Sequence, residues 1–167
     1  MPGTYALTYP APFPLSGADG PPEPGPSFDV LLDDAHGFNC AVTGVTTKVM
    51  IHSTLPTGFG GTSPRLTLIK IGDTAGTAIL SLVEATPIAG NNIATSCSGL
   101  TFSDAASASF ATAVSPYNGT FKPVGPAGMA VFGTVEVNGI WSLEMSNLNG
   151  PVIIDCWQLT YKTVAKP

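Results

Sequence analysis

Apolar and polar residues alternate most cleanly between Gly119 and Tyr161. Trp141, Leu143 and Met145 fall on one side of an extended chain, with Ser142 and Glu144 on the other. Trp157, Leu159 and Tyr161 repeat the pattern against Cys156, Gln158 and Thr160. A period of two over these runs predicts two half-buried strands, each anchored by a tryptophan. It also makes Trp141, Leu143, Trp157 and Leu159 the candidate structural core.

Upstream, the same period recurs in short runs. Ser27 to Gly37 reads as a strand and turn, Cys40 to Val45 as a strand, and Lys48 to His52 as another, with Val49 and Ile51 opposed to Lys48, Met50 and His52. Leu66 to Ile71 and Ala78 to Val83 read as two strands joined by the glycine-flanked turn Gly72 to Thr77, and Leu55 to Pro64 as a loop rich in breakers. Ile93 to Leu100, Gly119 to Val124 and Met129 to Val137 are further strand candidates. Ser103 to Ala111 fits either a short helix capped by Ser103 or a loop. About eight to ten short strands predict an all-β fold, an antiparallel β-sandwich or jelly roll.

Residues 1 to 26 are different in kind. They hold eight of the 16 prolines, densest at Pro10 to Pro14 and Pro21 to Pro26. Proline fixes φ and removes a donor, so this segment is expected to stay out of a central sheet and lie extended. Its Tyr5, Leu7, Tyr9, Phe13 and Leu15 are apolar residues that a solvated linker does not need. We therefore expect a Pro-rich N-terminal arm over 1–26, with those five residues as anchors on a neighbouring surface, and a jelly-roll domain over 27–167.

Composition narrows the function classes. At 167 residues and 44% hydrophobic, the chain suits one core, and its 19 glycines and 16 prolines interrupt any long helical period. Charged residues make up only 10%, against roughly 25% in ordinary soluble domains. Six scattered Lys and Arg within a net charge of −5 form no basic patch, which argues against nucleic acid as a partner. No apolar run approaches the roughly 18 residues that cross a bilayer. Met1 to Tyr5 lacks the basic and apolar regions of a secretory signal, so synthesis in a cytoplasm, or a Met added after processing, is expected. Cys40, Cys97 and Cys156 fit three states: a reduced buried set, one internal pair with a leftover thiol, or a bridge between subunits.

One family shares the order of motifs. His52 on a valine-rich strand, Leu66 and Leu68, Gly76-Thr77, Leu80, then Gly119-Thr120-Phe121 with Pro123, Phe132-Gly133, Asn138-Gly139 with Trp141 and Leu143, and finally Trp157, Leu159 and Tyr161 follow one another between about residues 45 and 161. This order resembles the P domain, the jelly-roll module beside subtilisin-like proprotein convertases and in many bacterial secreted proteins. The resemblance implies a jelly roll, calcium in some relatives and a protease as partner. Ser63-Pro64-Arg65 stands where the family usually has an Asp, and Ser146 to Ile154 carries no carboxylate in place of an acidic loop. Calcium is thus the one ion the resemblance brings, and the sequence supplies few of the ligands it needs.

A catalytic set is hard to assemble. His36 and His52 have no nearby nucleophile motif, and Gly-x-Ser-x-Gly, His-Glu-x-x-His and CxxC patterns are absent. Asp29, Asp33 and Asp34 suit an acidic turn or a cation site; Glu136 and Glu144 suit solvated strand faces. We therefore expect no enzyme, no catalytic residue and no cofactor. The favoured expectation is a bacteriophage virion protein, a capsid decoration or cement protein or a head–tail accessory. It would be a homo-oligomer that binds capsid or other virion proteins through its arm, without nucleic acid or membrane. The alternatives are a carbohydrate- or cell-surface-binding module using loops 55–64 and 85–117, and a stabilising partner of a separate protease.

Overall fold

The computed structural model describes residues 3–15, 27–32, 40–54, 59, 65–71, 77–83, 90–133, 135, 138–146 and 152–165. Eleven strands follow in chain order: β1 (Gly3–Leu15), β2 (Ser27–Leu32), β3 (Cys40–Ser53), β4 (Arg65–Ile71), β5 (Thr77–Val83), β6 (Asn92–Ile93), β7 (Leu100–Phe102), β8 (Ala108–Ser109), β9 (Gly119–Lys122), β10 (Gly139–Ser146) and β11 (Val152–Ala165). They form two sheets. The larger runs β1-β11-β3-β7-β9-β8, with β6 also on β3, and the smaller runs β2-β10-β4-β5. The chain is all-β in the described residues, whose only helical turns are two of 3-10 type.

The alternation seen in the sequence becomes the core between the sheets. Trp141, Leu143 and Met145 from β10, and Leu66 and Leu68 from β4, are buried on the small sheet. Val45, Val49 and Ile51 from β3, with Ile154, Trp157, Leu159 and Tyr161 from β11, are buried on the large one. These side chains belong to one continuous apolar cluster. Burying each large one is worth roughly 1.5–3 kcal/mol. Phe132 packs on Trp141 with ring centroids 5.3 Å apart.

Three local expectations are corrected. Cys40 to His52 is one strand of 14 residues rather than two, because β-branched residues flank Gly44 on both sides and a bulge at Thr43, between the pairs Lys162↔Gly44 and Thr163↔Val42, absorbs the irregularity. The described start of the expected strand Met129 to Val137 is not extended. Gly128–Phe132 is a 3-10 turn that buries Met129 and Phe132, three residues apart and hence on one side of such a turn. Of the two readings of Ser103 to Ala111 the helix is not the one adopted: the Ser103 hydroxyl accepts from the Ala105 N–H at 3.2 Å, and a 3-10 turn, Phe110–Thr112, follows with Ser109 as its cap. Finally, the large sheet is mixed, since β9 runs parallel to both β7 and β8. A parallel neighbour needs a crossover of a dozen or more residues, and the stretch 103–118 supplies it.

The cysteines settle into the second of their three states. Cys97 and Cys156 form a disulfide with Cα atoms 5.7 Å apart and 59 residues of separation, while Cys40 opens β3. The bridge ties the turn at 95–99 to the middle of β11. Closing a loop of this length contributes about 2–4 kcal/mol. Reduction is therefore expected to lower the urea midpoint of unfolding; equal midpoints with and without reductant would contradict it.

Candidate functional site

The five expected anchors all lie on β1, which pairs antiparallel with β11 at the edge of the large sheet. Tyr5, Leu7, Tyr9, Phe13 and Leu15 stand opposite Tyr161, Leu159, Trp157, Ile154 and Val152. Each of those β11 partners is buried. The apolar positions of β1 are thus in backbone register with buried positions of β11. At an edge, a strand needs only half of its N–H groups, which is why Pro10 and Pro14 are tolerated within the ladder. The Gly3 N–H donates to the Thr163 hydroxyl at 3.1 Å and anchors the start of the strand. The strand that carries these residues is paired with the chain's own β11.

The expected core residues are buried in both sheets. Trp141 and Trp157 are each 1% exposed, and Leu143 and Leu159 are fully buried. The Trp157 indole N–H donates to the Thr47 hydroxyl at 2.7 Å, and Thr47 passes its own hydrogen to the Gln158 carbonyl at 3.1 Å. That relay satisfies the one polar atom of a buried tryptophan.

His52 lies on β3 with its Nδ1 2.7 Å from the Asp155 carboxylate. Asp155 has no opposite number on β3, because Ile154 pairs with Ile51 and Cys156 with Met50. The bulge re-aims the carboxylate toward His52. Both side chains are partly open to solvent, 34% and 22%, and each is the other's hydrogen-bond partner. The acidic residues Asp33, Asp34 and Glu136 lie outside the described residues; Glu144 is half-buried on β10.

A groove of about 300 Å³ opens beside the same ladder at its other end. Thr43 and Thr46 of β3, Thr160 and Lys162 of β11, and the turn residues Ser103 and Asp104 line it. Asp104 is already engaged, accepting from the Met129 N–H at 2.8 Å and the Ala130 N–H at 3.1 Å. A Cβ on Gly128, whose φ is +57°, would collide with the same carboxylate. Asp104 therefore holds the 3-10 turn against the sheet. Replacing it with alanine is expected to cost about 1–2 kcal/mol and to raise hydrogen exchange at Met129 and Ala130 first; unchanged exchange there would contradict this role. The groove offers hydroxyls, and among its described lining residues none is aromatic.

Among the described residues no three His, Cys, Asp or Glu side chains gather into a metal-binding group. Asp104 and Asp155 are turned to N–H donors and to His52, so neither offers calcium a cluster of free oxygens. No described helix is long and apolar enough to cross a membrane.

Several of these residues carry little sequence signal. Nothing local marks Asp104 as the cap of a turn 25 residues away. Cys156 sits on the polar phase of β11, a position that hints at a partner outside the core. Lys70 shares the phase of Leu66 and Leu68, so the period itself places it inward. It is indeed fully buried, donating to the Ile71 and Asn138 carbonyls at 2.8 and 2.7 Å, with its nitrogen 5.8 Å from the centre of the Trp141 ring. No family model matches the chain, and no curated protein or solved structure does.

Proposed function

We propose that this chain is a non-enzymatic structural protein of a virus particle, a capsid decoration or cement protein or a head–tail accessory of a bacteriophage. The observation that carries the proposal is β1: a proline-bearing strand paired with β11 at the edge of the large sheet. Particle proteins use extended arms and sheet edges because every copy meets identical neighbours. We read the two sheets as a jelly roll of the P-domain kind, with the arm of 1–26 binding capsid or other virion proteins and further copies of the chain.

Two other features favour this use. A surface with few charges is suited to being covered by neighbours. A disulfide between a surface turn and a central strand suits a particle that leaves a reducing cytoplasm after synthesis there. The test is saturable binding: labelled full chain is mixed with particles from its source after mild removal of their outer proteins. Co-sedimentation that saturates at a fixed ratio to a shell or tail protein is expected. Absence of saturable binding to any particle would overturn the proposal.

A second reading, a module that binds a carbohydrate or cell-surface ligand, is favoured by the hydroxyl-lined groove at Thr43, Thr46, Ser103 and Thr160. It predicts glycan-array hits that are lost in Thr160→Val. An array without hits would remove it.

A further inference from the structure

We propose that the Cys97–Cys156 disulfide opens in the folded protein by exchange with an external thiol, which becomes attached at Cys97. The course of the chain puts the bridge on the outside of the large sheet. β6 and β7 both pair with β3, through Ile93↔Ile51 and Leu100↔Val49. Residues 94–99 leave the ladder between these two pairs and reach across to Cys156 of β11, the strand on the other side of β3. Cys156 stands opposite Met50, on the phase opposed to Val49, Ile51 and Trp157, which are buried in the core. The bridge therefore staples a turn over the face that points away from the core.

Its two ends are unequal. Cys97 is exposed, whereas Cys156 is only 6% exposed. Both line an open hollow of about 260 Å³, together with Lys48, Ser98 and Gln158. Exchange requires a thiolate to reach one of the two sulfurs, and the end open to solvent is Cys97. The incoming sulfur bonds to Cys97 Sγ as the bond between Cys97 and Cys156 breaks, and Cys156 leaves as a thiolate that takes a proton from water. A second thiolate then attacks the incoming sulfur and frees Cys97. The protein disulfide is reduced by two electrons to two thiols, and the two external thiols are oxidised to one disulfide. The positive charge of Lys48 in the same hollow favours both the arriving and the departing thiolate.

The rest of the structure allows the bridge to open without unfolding. The Ala94 N–H donates to the Pro116 carbonyl at 2.8 Å, the Gly119 N–H to the Gly99 carbonyl at 2.7 Å, and the Thr95 N–H to the Asn118 side-chain oxygen at 3.0 Å. These bonds all stay within residues 94–119. Among the described residues no hydrogen bond joins 94–99 to β11, so the disulfide is the turn's one tie to that strand. Opening it releases the turn from β11 and leaves the ladders of β3 with β6, β7 and β11 in place. Such a local opening needs far less free energy than global unfolding.

Exchange at Cys97 is independent of the particle role, and its test uses the chain alone. Oxidised full chain is incubated with reduced glutathione in native buffer, quenched in acid at early times, alkylated and mapped by mass spectrometry. The opening rate is expected to rise about tenfold for a tenfold rise in glutathione, with glutathione on Cys97 and the alkyl label on Cys156. Hydrogen exchange is expected to rise first at 95–99, while the far-ultraviolet circular dichroism of the sheets is retained. A rate that does not depend on glutathione, no opening short of denaturant, or glutathione on Cys156 in place of Cys97 overturns the proposal. The double variant Cys97→Ser, Cys156→Ser checks the open state separately. It is expected to keep the sheet signal and to show the same raised exchange at 95–99, and its failure to fold overturns the proposal as well.

Discussion

Trp157→Ala is expected to lower the free energy of unfolding by about 3–5 kcal/mol, the range for truncating a buried large aromatic. Trp157 is 1% exposed within the sheet that carries both β1 and β3. It stands between Tyr9 on one side and Val49 on the other. Truncation leaves a cavity in the centre of the core and removes the indole hydrogen that the Thr47 hydroxyl now receives at 2.7 Å. Trp157→Phe keeps most of the volume and loses only the hydrogen bond, so its cost is expected to be about 1–2 kcal/mol. Urea unfolding followed by circular dichroism measures both. A loss below about 1 kcal/mol for the alanine variant would mean that the two sheets do not close over this residue.

Gly139→Ala is expected to be nearly as damaging, although it adds a single methyl group. Gly139 has φ +118°, and a Cβ there would lie 2.5 Å from the Lys70 nitrogen and 2.7 Å from the Ile71 carbonyl oxygen. Only glycine takes that backbone conformation without strain, and the strain alone costs on the order of 1–3 kcal/mol. The buried ammonium has no room to move, since the Ile71 and Asn138 carbonyls hold it on two sides. We expect a total loss of about 2–4 kcal/mol. In a chain that already carries Lys70→Met, the added cost of Gly139→Ala is expected to be smaller, because the flexible tip gives way. A double-mutant cycle reads this coupling directly, and additive losses would show that the glycine answers to the backbone alone.

Gly139 and Lys70 also show how the sequence yields its fold and where it stops. The period of two in β10 and β11 is a local property, and it placed Trp141, Leu143, Met145, Trp157, Leu159 and Tyr161 on one side of their strands, buried as the structure has them. Lys70 lies on the phase of Leu66 and Leu68, but a lysine on an apolar phase is readable only when the carbonyls that receive it are known. Those carbonyls come from Ile71 and from Asn138, the latter 68 residues away. Parallel pairing of β9 with β7 and β8 was equally out of reach, since strands of two to four residues have too few side chains to declare a partner. The stretch Met129 to Val137 looks strand-like because Met129, Val131, Val135 and Val137 are apolar. Its first turn is decided instead by the Asp104 carboxylate, a contact no window along the chain contains.

The site is less legible than the fold for the same reason. Tyr5, Leu7, Tyr9, Phe13 and Leu15 were recognisable as residues in need of a surface. That their strand pairs with β11, some 150 residues further along, is not readable from the local sequence. The odd cysteine count left three states open, and only the placement of the turn at 95–99 beside β11 joins Cys97 to Cys156. His52 and Asp155 meet because of a bulge that no residue type in β11 announces.

The structural role is tested most directly in the source itself. A native lysate is separated on a density gradient, and the particle band is quantified by mass spectrometry. We predict this chain in the band at a fixed, stoichiometric ratio to a shell or tail protein. Its confinement to soluble or secreted fractions, with none in the particle band, would contradict the proposed role.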